Sequence, residues 1–111
     1  RYGIMNEQSG YMGLNKCKFA ENTKSMNYNA IYVGGVSKLR MYGYTTVINQ
    51  DTALCVRRMA EALAGLEGSG NNIGIRCDDA IVRGTVPSTF ATTATSVGGN
   101  GLIISKGQVL S

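Results

Sequence analysis

The chain has 111 residues, of which 43% are hydrophobic and 16% are charged. This composition excludes an intrinsically disordered chain, because enough apolar surface is present to offset the loss of conformational freedom, and the length fits a single β-rich domain over residues 1–111. The formal net charge is +4, but the eleven basic residues are scattered along the chain, so nucleic-acid binding is the less favoured partner class.

The residue types favour β-structure and exclude several kinds of site. Fifteen glycines, one proline and no tryptophan or histidine describe a turn-rich β protein. No apolar run is long enough to cross a bilayer, so we expect no membrane partner. The chain begins with Arg1 rather than Met, which indicates a processed product or a fragment of a longer chain.

The three cysteines, Cys17, Cys55 and Cys77, have no CxxC spacing, and histidine is absent. We therefore expect no metal site and no cofactor. An odd number of cysteines in a small chain favours buried, reduced thiols. This predicts assembly in the cytoplasm, with a final location in a virion or outside the cell left open.

Short β-prone segments recur along the chain, each opening on a small residue. They begin at Gly3, Ala30, Gly74 and Gly101, at spacings of 27, 44 and 27 residues. Ala53 is a candidate intermediate start, 23 residues after Ala30 and 21 before Gly74. The stretch NAIYVGGVSKLRMYG at 29–43 is echoed by GIRCDDAIVRG at 74–84. Spacings of 21 to 27 residues fit one turn of a β-solenoid.

Residues 51–70, DTALCVRRMAEALAGLEGSG, interrupt this pattern. Asp51 or Thr52 can cap a helix, and Gly68 can end it. Five apolar residues follow helical spacing: Ala53, Val56, Ala60, Leu63 and Ala64. The segment predicts an α-helix at about 51–67, which removes the intermediate repeat.

Two architectures therefore stay open. One is a mainly β chain that forms a short β-solenoid, or parallel β-helix segment, with one helix. The alternative is a compact α+β domain, in which IYV-GG-VSKL, IRC-DD-AIV and LIIS-KG-QVL form three β-hairpins and the helix packs on them. In either case residues 86–99, VPSTFATTATSVGG, predict an exposed linker or an arm that pairs with a neighbouring subunit. The end, GLIISKGQVLS, is expected to dock on its own sheet or on a partner's edge.

LNKCKFAENT at 14–23, together with NNIGIRCDDAIVRG at 71–84, resembles the coils of right-handed parallel β-helix proteins. This is the pectin-lyase-like family, which includes polysaccharide lyases, pectin hydrolases and bacteriophage tailspikes. The resemblance implies a structural protein similar to a virion tailspike or tail fibre, a homo-oligomer with carbohydrate binding. A third hypothesis is a fragment of a polysaccharide-degrading enzyme.

The sequence lacks part of the catalytic pattern that the enzymes of this family carry. Asp78 and Asp79 resemble the paired aspartates of the hydrolases, but neighbours in a strand point to opposite faces and the hydrolase pattern needs a histidine. The lyases use Arg or Lys as a base, which makes Lys38, Arg40, Arg76 and Arg83 candidates, but the sequence shows no acidic cluster to accompany them. We therefore expect no catalytic residue and no enzyme activity.

The residues predicted to bind a partner are tyrosines and arginines. Tyr32, Tyr42 and Tyr44 offer flat apolar faces with a hydroxyl, which suit sugar stacking and protein interfaces. In the first hypothesis they are contact residues in assembly by edge pairing and apolar burial. In the alternative, a small intracellular α+β domain binds a protein or nucleic acid with a helix face that carries Arg57 and Arg58.

Overall fold

The computed structural model describes residues 2–7, 9–20, 29–85 and 90–110. These residues form thirteen β-strands and no helix, and none of them therefore supplies an apolar helix of membrane-spanning length. The strands are β1 Tyr2–Asn6, β2 Tyr11–Asn15, β3 Lys18–Ala20, β4 Asn29–Val33, β5 Lys38–Tyr42, β6 Thr45–Ile48, β7 Thr52–Arg57, β8 Glu61–Ser69, β9 Asn71–Asp78, β10 Ile81–Thr85, β11 Ala91–Gly98, β12 Leu102–Ser105 and β13 Gln108–Leu110.

The strands stack into a β-solenoid, which confirms that part of the prediction. The chain passes five times through a first sheet, whose strands lie in the order β1, β4, β7, β9 and β11, and all neighbouring strands are parallel. A second sheet contains β2, β5, β8, β10 and β12 in parallel order, and β13 is added antiparallel to β12. A third, shorter sheet joins β3, β6 and the C-terminal half of β8.

The core lies between the sheets and is built from aligned columns of apolar residues. In the first sheet Ile31 pairs with Leu54, and Leu54 pairs with Ile75, so one aliphatic side chain follows another from turn to turn. All three are fully buried. Burial of a Leu or Ile side chain contributes about 1.5–3 kcal/mol. The second sheet adds the buried column Leu39, Ala62, Val82 and Ile103.

The predicted helix at 51–67 is wrong. The segment forms β7, a turn at 58–60, and β8. The two-residue alternation of a strand is hidden in β7 because both faces are buried: Ala53 and Cys55 are as inaccessible as Leu54 and Val56. Arg58, which would have broken the alternation, lies beyond the strand. The intermediate repeat that begins at Ala53 is therefore present.

The breaks between strands are stacked corners of the solenoid. Between the first and second sheets Gly35, Arg58 and Asp79 each have a positive φ, of 64°, 57° and 50°. Backbone hydrogen bonds join successive corners, with the Arg58 amide donating to Asp78 at 3.3 Å and the Met59 amide donating to Asp79 at 2.7 Å. The Gly-Gly and Asp-Asp breaks are thus not hairpin turns, and the compact α+β alternative is wrong at both.

The third predicted hairpin is correct. β12 and β13 pair antiparallel around Lys106 and Gly107, whose φ values of 52° and 77° fit a type I′ turn. The C-terminal segment therefore docks on its own sheet.

Residues 91–98 form β11, paired with β9 of the same chain, so the linker or intersubunit-arm interpretation is wrong for them. Residues 86–89 of that stretch, and residues 21–23 of LNKCKFAENT, lie outside the described residues.

A buried asparagine joins neighbouring turns where the third sheet leads into the first. The Asn71 side chain donates to the carbonyls of Val47 at 2.9 Å and Phe90 at 2.8 Å, and accepts from the Gln50 amide at 2.9 Å. Asn71 is almost fully buried. Its neighbour Asn72 faces outward and donates to the Asp51 carboxylate at 2.7 Å.

Candidate partner surface

The outward residues of the second sheet bring aromatic, aliphatic and charged side chains onto one surface. Leu39, Ala62 and Val82 point into the core, so strand alternation turns their neighbours outward. Two aligned columns result. We call them, with Tyr42, the second-sheet face: Tyr11, Lys38, Glu61 and Ile81 in the first column, and Gly13, Arg40, Leu63 and Arg83 in the second.

Exposed large apolar side chains concentrate on this face and beside it. Of the eight such residues described, Tyr11, Tyr42 and Leu63 lie on the face itself. Four more border it or extend it: Val36 and Met59 at one corner, Tyr44 at the other, and Val109 on β13. The eighth, Met5, lies on the first sheet. Apolar exposure of this kind, collected in one place and surrounded by charge, is typical of an interaction surface.

A tyrosine pair occupies the N-terminal part of the face. A hydrogen bond with the Tyr11 hydroxyl raises the pKa of Tyr42. The Arg40 guanidinium carbon lies 4.9 Å from the centroid of the Tyr42 ring, within the range of a cation–π contact. The ring also lies across Gly13, where a Cβ would stand 3.2 Å from Tyr42 Cε2. Glycine at position 13 therefore leaves room for the ring to lie flat.

The charges on the face are mixed but mainly positive. Lys38, Arg40 and Arg83 face outward with one carboxylate, Glu61. A depression of about 320 Å³ lies among them. Glu61 also lines a neighbouring groove of about 620 Å³ at the corner, where Met59, Ile81 and the Asp79 carboxylate form part of the wall.

The three predicted tyrosines do not form one surface. Tyr42 and Tyr44 are exposed, but Tyr32 lies on the first sheet with only 4% of its surface accessible, and burial raises its pKa. Tyr32 thus offers little accessible surface to a partner. Sequence reasoning missed Tyr11. The β5 residues of the face can be found in the sequence from the alternation in KLRMY, residues 38–42, which turns Lys38, Arg40 and Tyr42 to one side of the strand.

Arg57 and Arg58 are not presented by a helix. Arg57 ends β7, and its Nε lies 3.0 Å from Asp78 Oδ2 in an ion pair that is partly open to solvent. Arg58 follows in the corner, with φ 57°. The helical face proposed for nucleic-acid or protein binding therefore does not exist, although both arginines remain near the surface.

The paired aspartates have structural partners. Asp78 binds Arg57, and Asp79 Oδ1 accepts a hydrogen bond of 2.7 Å from the Asn100 amide in the next corner. Of the basic candidates, Lys38, Arg40 and Arg83 share the second-sheet face, whereas Arg76 pairs with Cys55 in the first sheet. Across the part of the chain that is described, no three His, Cys, Asp or Glu side chains are grouped to hold a metal.

The cysteines are all free thiols in the structure. Cys55 and Cys77 are buried, and burial raises the pKa of each thiol. Cys77 Sγ lies 3.2 Å from the Ala80 carbonyl, to which the thiol donates. Cys17 is half-buried.

Comparison of the chain with protein-family models, curated proteins and solved structures found no match. The β-solenoid is therefore established by the strand pairing of this chain alone. A relationship to the pectin-lyase-like proteins or to tailspikes has no support from these comparisons.

Proposed function

We propose that the protein is a structural component that works by self-association, with the second-sheet face as its contact surface. The observation that carries this proposal is the concentration of exposed apolar side chains on that face and at its borders. Removing apolar surface from water contributes about 25 cal/mol per Å², so covering such a patch favours association. The mechanism is apolar burial, and no turnover of a substrate is required.

The setting that we propose is a virion tailspike or fibre assembled in the cytoplasm. The solenoid fold is compatible with such a component, and three free thiols suit a reducing compartment. The proposal for the setting derives from the sequence resemblance, whereas the proposal of self-association derives from the surface.

Sedimentation equilibrium over a wide range of protein concentrations tests self-association. The weight-average mass is expected to rise with concentration. Leu63→Ser, on the face, is expected to reduce this rise, whereas Met5→Ser, an exposed apolar residue on the first sheet, is expected to leave it unchanged. A mass equal to the monomer at every concentration would refute the proposal.

Binding of an acidic polysaccharide is a second candidate, favoured by a separate observation. The hydrogen-bonded pair of Tyr11 and Tyr42 offers aromatic surface for sugar rings, and Lys38, Arg40 and Arg83 supply positive charge around it. Calorimetric titration with a panel of acidic polysaccharides tests this idea. Tyr42→Ala should weaken any binding more than Tyr44→Ala does, and equal effects or no heat with any member would count against it.

A further inference from the structure

The register of the second sheet makes the first column of its outward face complementary to itself. From β2 to β10, the first column reads Tyr11, Lys38, Glu61, Ile81. Lysine and glutamate thus lie on the two middle strands, β5 and β8, with an apolar residue on either side. A two-fold axis requires each surface to match a rotated copy of itself.

We infer that two copies dock through this face about a two-fold axis that runs parallel to the strands, between β5 and β8. This inference rests on the proposed self-association and specifies its geometry. Rotation about such an axis reverses the strand order, so β5 of one copy lies over β8 of the other, and β2 lies over β10.

The charged residues of the first column then alternate across the interface. Lys38 of each copy lies opposite Glu61 of the other, so each charge has opposite charges both beside it in its own sheet and across from it. Tyr11 lies opposite Ile81, so the exposed tyrosine is covered by a half-buried aliphatic side chain. Alternating charges with an apolar pair on each side provide both register and apolar burial.

The second column places a large side chain opposite the smallest one. Arg83 of one copy lies opposite Gly13 of the other, where the Tyr42 ring covers the glycine. The Arg83 stem would pack beside that ring, because the Arg40 guanidinium of the same copy already lies 4.9 Å from the ring centroid. In the same column Arg40 lies opposite Leu63, whose aliphatic surface can pack along the arginine stem.

Val36 and Met59, at the corner between the first and second sheets, add apolar contacts to the proposed interface. Val36 and Met59 lie in successive turns, joined by a 3.1 Å hydrogen bond from the Val36 amide to the Arg58 carbonyl. They are 59% and 73% exposed, respectively. The same axis brings Val36 of each copy towards Met59 of the other, so two exposed side chains are covered in each copy.

Other positions of the axis are disfavoured by charge. An axis centred on β8 places Glu61 against Glu61 and Arg40 against Arg83, while one centred on β5 places Lys38 against Lys38. An axis between β8 and β10 buries Glu61 against Ile81 without a cation opposite. Like charges across an interface oppose docking, so the axis between β5 and β8 is selected.

The size of the contact makes this a reversible dimer. Four strands and about six residues of each strand give a patch of roughly 20 by 20 Å, or about 400 Å² per copy. Stable complexes bury about 800 Å² per partner. We therefore expect dimers to form only at high protein concentration and to weaken as salt screens the charges.

Charge reversal tests the geometry directly. Lys38→Glu and Glu61→Lys, each alone, should place like charges across the axis and weaken the dimer at least tenfold in sedimentation equilibrium. Mixed in equal amounts, the two variants should form a heterodimer, because every opposed pair then has opposite sign. Lys18→Glu, on the exposed surface of β3, is the matched control and should dimerise like the wild type.

The possible outcomes separate this inference from the proposed function. If the wild type self-associates but the single reversals behave like it, or if their mixture stays monomeric, the two-fold geometry is wrong and self-association stands. If the wild type is monomeric throughout, both fail. Circular dichroism of each variant checks that the fold is intact, and recovery in the mixture shows independently that both chains are folded.

Discussion

Replacing Asn71 with leucine is expected to destabilise the protein strongly while adding apolar bulk to its interior. The amide side chain donates to the carbonyls of Val47 and Phe90 and accepts from the amide of Gln50, all within 2.9 Å. Leucine has a similar size but can form none of these bonds. The variant therefore tests whether a polar contact, rather than packing, holds successive turns together at this corner.

The size of the destabilisation follows from the backbone groups that lose the Asn71 side chain as a partner. These are the carbonyls of Val47 and Phe90 and the amide of Gln50. Each costs about 1–3 kcal/mol if it stays buried. The Phe90 carbonyl is least affected, because it also accepts a 3.4 Å bond from the Asn71 backbone amide, which the substitution keeps. With the favourable burial of leucine subtracted, we expect a net loss of about 1–4 kcal/mol. This is a large share of the roughly 5–15 kcal/mol that typically stabilises a domain.

Asn71→Asp provides a pH-dependent version of the same test. The carboxylate can still accept from Gln50, but it places negative charge against two carbonyl oxygens in a buried site. Burial should raise the pKa of this carboxyl in the folded state above its unfolded value of about 3.9. Relative to wild type, the variant should be most stable below pH 4 and should lose stability as pH rises towards the folded-state pKa, at about 1.4 kcal/mol per pH unit.

Urea unfolding followed by circular dichroism measures these changes, provided that the slope with denaturant stays constant. Asn72→Leu is the matched control. Asn72 lies on the same strand but is only half-buried, with a 2.7 Å bond to the Asp51 carboxylate, and because water can reach the groups it leaves, its replacement should cost less than that of Asn71. Equal losses for the two leucine variants, or a pH-independent effect of Asn71→Asp, would refute the reasoning.

Three further predictions test other parts of the fold. Gly84→Ala should destabilise the protein by more than about 3 kcal/mol, because φ is 140° and a Cβ would collide with the backbone of β8. Gly107→Ala, with φ 77° and open space around the Cβ, should cost about 1 kcal/mol. Equal losses of stability in urea unfolding would contradict this. A thiol reagent should modify Cys17 rapidly and the other two cysteines only after unfolding; three fast thiols in the native protein would be inconsistent with the fold. Burial raises the pKa of Tyr32, so the stability that the neutral phenol contributes is present below about pH 10 and is lost as pH rises further. Tyr32→Phe should therefore make the free energy of unfolding fall less steeply with pH in the alkaline range. An unchanged dependence on pH would exclude this role for Tyr32.

The repeat could be predicted from the sequence because the first four turns begin with a small residue followed by an aliphatic one. Ile31, Leu54 and Ile75 follow Ala30, Ala53 and Gly74, and the structure aligns them in one column. The segment that begins at Gly101 is not equivalent to these starts in the structure. Gly101 precedes β12 of the second sheet, whereas the last turn of the first sheet is the threonine-rich β11, which carries no matching aliphatic pattern.

The helix prediction failed where tertiary context overrode local preference. Alanine, leucine and glutamate in AEALAGLEG favour a helix, but in β8 they alternate between exposed and buried positions, and Ala62, Ala64 and Leu66 fill the core between the sheets. The second-sheet face was only partly predictable. Its residues belong to four strands, and the distance between those strands in space depends on turn lengths that a single segment does not reveal.

The short strand β13 gives the second sheet one more layer than the first. Among the described strands, six lie on the path from β2 to β13 and five on the path from β1 to β11, so the C-terminal end of the stack has a step one strand high. An identical molecule approaching this end would touch β13 before its own β1 could reach β11. Stacking of whole molecules on this end would therefore leave β11 without a neighbouring strand, while a single extended strand would fit on the lower level.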